Sequence, residues 1–374
     1  MRIGVQLDTS RPFADAAAEI SMMEDLGIDL VSVPEAYTFD GVSRLGFLAA
    51  VTDQVQLTSG ILPLYSRTPT LLAMTAAGLD EVSGGRFTLG LGTSGPQVIE
   101  GFHGVPYDAP LARTREAVEI CRMVWRRERL VYNGDHYQVP LPESLGTGLG
   151  KPLKLIDHPR RPAIPVNLAA IGPRSVRLAA EIADGWEPLL LFPEQTAAVW
   201  APALTAGLEV RDENLGPLDV VASAACAIGE DTAELLSLCR AHLALYVGGM
   251  GARGKNFYND LAHRYGFGEE ARVVQDLYLN GDRAAAAAAL PDVLVERTNL
   301  IGSVSWVRDR LAAYAAAGVT TLKVSLPQTE RTSRLRSIEV LCQLARDTAQ
   351  ETSPAPHPSV SSLPTVAHRL RVSV

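Results

Sequence analysis

The segment QVQLTSGILPLYSRTPTLLAMTAAGLDEVSGGRFTLGLGTSG, Gln54 to Gly95, decides the fold. Its first nine residues form a short apolar run with β-branched residues, which reads as a strand. Thr68 to Gly85 has apolar residues at helical spacing, with Pro69 near the start, where a missing N–H costs nothing, and two glycines at the end. Arg86 to Gly92 is a second apolar strand, and Thr93-Ser94-Gly95 opens a glycine-bearing loop. One strand, one helix and one strand in about forty residues is the parallel βαβ unit.

The same rhythm extends in both directions. Upstream lie the strand RIGVQLD, a helix from Pro12 with Ala16, Ile20, Met23 and Leu26 in register, the strand DLVSVPE and a helix from Gly41. Downstream come the helix LARTREAVEICRMVWRRE and the strand AIPVNLAA with the helix PRSVRLAAEIA. Then follow DGWEPLLL, PEQTAAVWAPALTAGLEV, LDVVASAACAI, DTAELLSLCRAHLALYV, TTLKVSL and RTSRLRSIEVLCQLARDTA. Eight strands alternating with eight main helices predict an α/β fold of (β/α)8 TIM-barrel type rather than an open doubly wound sheet. Two segments interrupt the count. Residues 130–161, before the fifth strand, carry Gly, Pro and aromatic punctuation and read as a loop or hairpin. Residues 251–311, before the eighth, read as a helical insertion. Residues 1–349 are expected to form the barrel domain. Residues 350–374, rich in Ser and Pro, read as a disordered tail, with docking on a neighbouring subunit as the alternative.

The chain has 374 residues, of which 47% are hydrophobic and 20% charged, so a packed core is expected. A net charge of −8 argues against a general nucleic-acid binder, which needs a basic face. Cys121, Cys226, Cys239 and Cys342 are scattered, without a CxxC pair, and read as reduced thiols of a cytoplasmic protein. No run is apolar over the roughly 18 residues that a membrane span needs.

In a βα barrel the site lies where the strands end at their C-terminal side. Those ends are Asp8, Glu35, Gly60 with Ile61, Thr93 to Gly95, Asn167 to Gly172, Trp186 with Glu187, Ala224 with Ala225, and Leu326 with Pro327. No metal-ligand set and no nucleophile elbow appears among them. A mouth of small residues and backbone amides suits a large flat cofactor that brings its own reactivity. Two glycine loops fit that reading, GLGTSG after the fourth strand and AAIGPRSV, Ala169 to Val176, after the fifth. Gly172 permits close approach, Pro173 suits a first helical turn, and Arg174 and Ser175 could contact a phosphate at the helix start; an ordinary βα turn is the alternative.

The run from Thr58 to Gly104, with Arg67-x-Pro69, Leu79-Asp80 and SGGRFTLGLG, resembles the bacterial-luciferase-like superfamily of flavin- and deazaflavin-dependent barrels. So do IPVNLAAIGPRSVRLAAEIADGW and LAAYAAAGVTTLKV. GTSGPQVIEGFHGVPYD, GKPLKLI and YVGGMGARGKNFYNDLAHRYGF resemble its branch of coenzyme F420-dependent oxidoreductases, related to the methylene-tetrahydromethanopterin reductases. The resemblance implies hydride transfer from reduced F420 to a small organic substrate at a C=C, C=N or C=O bond. It implies a non-prolyl cis peptide at Gly60-Ile61 behind the central ring, against a plain trans strand end. Thr93, Ser94 and Gly95 would lie beside the ring. Ala169, Ala170, Gly172, Pro173 and Arg174 would hold the side-chain phosphate, and Trp186 and Glu187 would line the same side. The sugar-phosphate dehydrogenases of this family carry an Asp-His pair after the second strand and a Glu after the fourth. Here those positions read Glu35-Ala36 and Gly95, so sugar-phosphate oxidation is not expected.

Reduction needs a proton source. Asp8, Glu35, Tyr37 and His103 are the catalytic candidates, with Asp40 nearby. Asp8 could instead cap a helix or brace a loop, Tyr37 could pack a lid, and His103 could be structural. Arg67 is read equally as a site residue or as a tie between the loop and a neighbouring helix. Asn256, Phe257 and Arg264 of the insertion could cap the substrate or pack on the barrel. The alternatives are an FMN-dependent monooxygenase using oxygen and a non-catalytic flavin-binding relative. The resemblance also implies a homodimer and a separate flavin or F420 reductase that supplies reduced cofactor.

Overall fold

The computed structural model describes residues 1–229 and 232–352. Eight strands carry the barrel: β1 (Arg2–Gln6), β2 (Leu30–Val33), β3 (Gln56–Ser59), β4 (Phe87–Gly92), β5 (Val166–Ala169), β6 (Gly185–Glu187), β7 (Asp219–Ile228) and β8 (Thr321–Ser325). Each pairs in parallel with the next. The ring closes through Val5↔Val324 between β1 and β8 and through Val220↔Trp186 between β7 and β6. The expected (β/α)8 barrel is therefore the observed one, with both insertions at the expected places.

The outer layer contains α1 (Phe13–Leu26), α2 (Gly41–Val51), α3 (Pro69–Val82), α4 (Pro110–Trp125), α5 (Pro173–Ile182), α6 (Ala201–Leu208), the helix Val304–Ala316 and α8 (Arg331–Thr352), whereas α7 (Ala233–Ala244), expected as the seventh barrel helix, packs on the helices of the second insertion. Their ends follow from local chemistry. The Asp40 carboxylate accepts from Ser43 N at the start of α2, and the Thr68 hydroxyl accepts from Leu71 N at the start of α3. Gly27 ends α1 at φ 97°, a left-handed conformation that a side chain would disfavour. The core fills the space between strands and helices, where Ile3, Val31, Leu45, Leu57, Leu72 and Phe87 are buried.

Three differences from the sequence reading have physical reasons. The third strand is broken: β3 pairs with the start of β4, and Leu62–Pro63 resumes pairing with its end, Leu62↔Leu91 and Pro63↔Gly92. The insertion before β8 is not wholly helical. Leu300–Gly302 adds a parallel strand beside the end of β7, and a helix at Val304–Ala316 follows it. Three residues are too few to show a period of two. The last helix runs to Thr352, three residues into the segment expected as tail; residues 353–374 lie outside the described residues. The first insertion begins with an antiparallel hairpin, Tyr132–Asn133 with Gln138–Val139. The four cysteines are free, and three of them are buried. Among the described residues no helix is long and apolar enough to cross a membrane.

Candidate functional site

The floor of the barrel mouth is set by backbone. The Gly60–Ile61 peptide bond is cis and sits in the gap between β3 and its continuation. Side chains are excluded around it. A Cβ at Gly60 would lie 2.0 Å from Ser32 Oγ, and one at Gly90 would lie 1.8 Å from the Ser59 carbonyl oxygen. At Gly92 it would meet Ile61 Cδ1 at 2.5 Å and Ala169 Cβ at 3.3 Å. The ends of β3, β4 and β5 are thus packed so closely that these three positions admit no side chain. Beneath them lies a buried charge pair. Lys323 Nζ donates to Glu187 Oε2 at 2.6 Å, and Asn167 Nδ2 donates to Glu187 Oε1 at 3.3 Å.

The loop after β4 is held in an unusual shape. Ser94 has φ 54°, and the Tyr107 hydroxyl donates to Thr93 Oγ1 at 3.2 Å and to the Ser94 carbonyl at 3.3 Å. Tyr107 in turn packs on Tyr65, with ring centroids 5.2 Å apart, and the Tyr65 hydroxyl donates to the Asp108 carbonyl. Burial pushes the Tyr107 phenol up, so it stays a donor at neutral pH. Tyr107 was not singled out in the sequence because an aromatic inside a loop carries no period.

Across the mouth, the turn after β5 leads into α5. Ala169 is exposed and Ala170 buried. Ala170 N donates to the Glu187 carbonyl, and Trp186 Nε1 donates to the Ala170 carbonyl at 2.9 Å. Gly172 caps α5 without any side-chain hydrogen bond to its first N–H groups, while Ser175 Oγ donates back to the Gly172 carbonyl. Pro173 and Arg174 are exposed. The first N–H groups of α5 are therefore available to an anion. Trp186 does not line the mouth: it is fully buried beside Trp200 and positions Ala170. Glu187 is likewise committed to Lys323 below the floor rather than presented to a ligand.

The acid candidates are committed to ion pairs. Burial pushes the Asp8 carboxyl up. The hydrogen bonds from Ser10 and Arg11 outweigh it and hold the group below its usual range, as a carboxylate. Arg11 passes the pairing on to Glu19, which also pairs with Arg334. Glu35 receives both nitrogens of Arg67, at 2.5 and 3.0 Å, and the N–H of Gly41 at 2.7 Å. Arg67 also reaches Asp40 at 3.0 Å. It is thus the tie between the loop after β2, the loop after β3 and α2. Asp8 and Glu35 brace loops in this structure, and neither is a free acid.

Tyr37 and His103 remain open as candidates. Tyr37 is 62% exposed, its ring centroid 6.2 Å from that of Phe102. Phe102 packs on His103, whose Nε2 is buried without a hydrogen-bond partner. Facing them is a π turn, Leu245–Gly249, that follows α7. Burial pushes the Tyr246 phenol up, and the nearby Tyr37 phenol adds to the shift. Tyr246 packs edge-on against Tyr258 and against His242, whose imidazole burial keeps neutral. The mouth between the loops after β2, β4 and β7 is therefore fenced by aromatic rings. Asn256 is buried and structural: it caps the helix Phe257–Arg264 and bonds the Tyr246 and Val247 carbonyls. Phe257 is exposed, and Arg264 bonds the Ile171 carbonyl rather than covering the fence.

Comparison with known proteins agrees with this geometry. A family model described as luciferase-like monooxygenase matches residues 1–321. The chain is 39% identical over 343 residues to a Mycobacterium tuberculosis protein named "Putative coenzyme F420-dependent oxidoreductase", covering 90% of this chain and 99% of that one. It is 26% identical over 334 residues to the 5,10-methylenetetrahydromethanopterin reductase of Archaeoglobus fulgidus, covering 87% and 94% of the two. The solved coenzyme F420-dependent tetrahydromethanopterin reductase of Methanopyrus kandleri superposes with a TM-score of 0.75 at 22% identity, over 91% of this chain and 97% of that one, a likeness of fold. With its closed barrel, its break at Gly60–Ile61 and a family match over most of its length, the chain is an enzyme of the luciferase-like monooxygenase family.

Proposed function

We propose that this enzyme is an F420-dependent oxidoreductase that transfers a hydride from the reduced deazaflavin to a small organic substrate with a polarised C=C, C=N or C=O bond. The observation that carries the reading is the division of the mouth into glycine strand ends that admit no Cβ and an uncapped helix start, with both strand-end carboxylates neutralised by arginine. Such a protein holds and orients a reactant and leaves the chemistry to it. The strand ends at Gly60, Ile61, Gly90 and Gly92, packed so closely that the three glycines admit no Cβ, would back the tricyclic ring. Thr93, Ser94 and Gly95 bound that ring at one edge. Ala169, Gly172, Pro173 and Arg174 would hold its phosphate at the start of α5, with Ala170, whose N–H and carbonyl are committed to Glu187 and Trp186, supporting the turn behind them. When bound, the reduced deazaflavin supplies the hydride.

The protein's part in the transfer is orientation, exclusion of water and the proton. Tyr37, Phe102 and Tyr246 enclose a space without a free carboxylate, which favours an uncharged, largely apolar substrate. Asp8 and Glu35 are ion-paired, so the proton comes from the Tyr37 phenol, or from His103 if that loop turns its Nε2 outward. The proposal extends to a cytoplasmic homodimer supplied with reduced cofactor by a separate reductase. The exposed faces of α2 and α3 support dimerisation: Phe47, Val51, Leu71, Met74 and Val82 stand out of them, with open space above Gly46 and Gly78.

The test is a fluorescence and absorbance titration of the purified protein with F420 and with FMN in both redox states. Micromolar binding of F420, weak binding of FMN and anaerobic oxidation of reduced F420 by a cyclic enone or ketone are expected. The family model's description favours a second reading, a monooxygenase using reduced FMN. Preferential FMN binding with oxygen uptake would establish that reading instead.

A further inference from the structure

Arg264 closes the inserted helix Phe257–Arg264, and its pairing differs from that of four other enclosed arginines. Arg67, Arg161, Arg310 and Arg334 each face a carboxylate. Arg44 has an unpaired Nη1, but its guanidinium lies over the Phe13 and Phe39 rings. Arg264 has no carboxylate within ion-pair distance among the described residues. Its Nη2 donates to the Ile171 carbonyl at 2.6 Å, its guanidinium carbon lies 4.9 Å from the centroid of the Trp200 ring, and its Nη1 is buried with no hydrogen-bond partner. Burial pulls its pKa down, offset in part by Tyr265 and Asp260. A half-buried guanidinium without a counter-charge is unfavourable, and an anion brought to it would relieve that cost. Ile171 belongs to the turn that leads into α5, whose first N–H groups lack a side-chain cap. The orphaned nitrogen shares its carbon with the one held on Ile171, so a cation and an open helix start adjoin the same turn.

We propose that Arg264 is the charge partner of the bound cofactor's phosphate, reaching it from the inserted segment while α5 holds it from the barrel side. The inference rests on the cofactor reading above. The arm is pre-organised. The Tyr265 hydroxyl accepts from Phe192 N at 3.1 Å and from Trp200 Nε1 at 3.0 Å, and it donates to the Leu190 carbonyl at 2.8 Å. These bonds fix the insertion on the loop after β6, and stacking on Trp200 orients the guanidinium plane. The insertion before β8 thereby becomes part of the cofactor site as well as a wall of the substrate mouth.

The experiment measures dissociation constants for two matched pairs: F420 with its phosphate-free deazaflavin, and FMN with riboflavin. It uses the wild type, Arg264→Lys and Arg264→Met, with melting temperature as the control for folding. Loss of a charge-assisted bond predicts that Arg264→Met weakens the phosphorylated member by roughly 10- to 100-fold. The phosphate-free member should change by less than about twofold, Arg264→Lys should recover part of the loss, and the salt dependence of binding should shrink. Equal weakening of both members, or no weakening of either, overturns the role of Arg264 and leaves the cofactor reading standing. Failure of the wild type to bind any of the four ligands overturns both.

Discussion

Replacing Lys323 with Met tests whether the charge pair under the floor acts as a closed unit. The lysine is 4% and its partner Glu187 6% exposed, and the 2.6 Å bond between them crosses from β8 to β6 behind β7. Removing one member of such a pair leaves the other charge buried without compensation, which costs about 3–5 kcal/mol. Asn167 alone, at 3.3 Å from Oε1, cannot make up that loss. For a domain of this size the expected fall in melting temperature is roughly 5–15 °C. Changing both residues together, Lys323→Met with Glu187→Gln, removes the orphaned carboxylate, and the amide can still accept from Asn167. The double variant should therefore recover more than half of the loss, a coupling of about 2 kcal/mol or more in a double-mutant cycle. Thermal and urea unfolding of the wild type, both single variants and the double variant supply the four corners. A single variant within about 1 kcal/mol of wild type, or a double variant no better than Lys323→Met, would refute the closed-unit argument.

Gly90→Ala places a methyl 1.8 Å from the Ser59 carbonyl, a contact that only a backbone shift relieves. Cofactor binding by fluorescence should be lost or fall at least about tenfold, while a similar change at the open Gly78 leaves it intact. Burial raises the Glu19 pKa, but pairing with Arg334 and Arg11 overcomes this and holds the carboxyl below its usual value. A depressed acid stabilises the fold fully above its unfolded pKa of about 4.3 and loses that contribution as pH falls through the folded value. Glu19→Gln should therefore lower the melting temperature at pH 7 and flatten its decline between about pH 5 and 3. Met74→Glu with Leu71→Glu should convert a dimer to a folded monomer in sedimentation velocity; a species of unchanged mass means the interface lies elsewhere.

The barrel was legible because its signals are local and repeated. Each strand is a short apolar run, and most of the helices show their period over ten or more residues, as in Phe13–Leu26 and Pro110–Trp125. Leu300–Gly302 was not legible, since three residues between helices look like a turn. The cis bond at Gly60–Ile61 was also readable, through the family resemblance, and a Cβ at Gly60 would collide with Ser32. The side chains of the site were less so. Asp8 and Glu35 stand at strand ends, where an acid is expected to act, yet Arg11 is only three residues on while Arg67 arrives from 32 residues away. No pattern in a single sequence announces that second pairing. Trp186 misled for a related reason: it follows the right strand, but its ring turns inward and its N–H serves Ala170.

The distribution of charge orients the site. At the substrate end, the carboxylates of Asp8, Glu35 and Asp40 each face an arginine, and the fence of Tyr37, Phe102 and Tyr246 carries no formal charge. Around the turn after β5, the cation of Arg264 has no counter-ion among the described residues, Arg174 is exposed, and the dipole of α5 adds further positive potential. On the proposed cofactor reading, a reactant with an anionic tail and a neutral ring would be drawn in with one polarity, tail toward α5 and ring toward the strand ends. The reverse placement would bury an anion among aromatic rings and leave the guanidinium unpaired, and both changes are unfavourable in a low-dielectric mouth. It follows that the ring's position is set largely from the phosphate end. A substitution at Arg264 should then disturb hydride transfer by letting the ring slide on its floor, a loss in kcat that persists at saturating cofactor and that a merely weakened affinity would not produce.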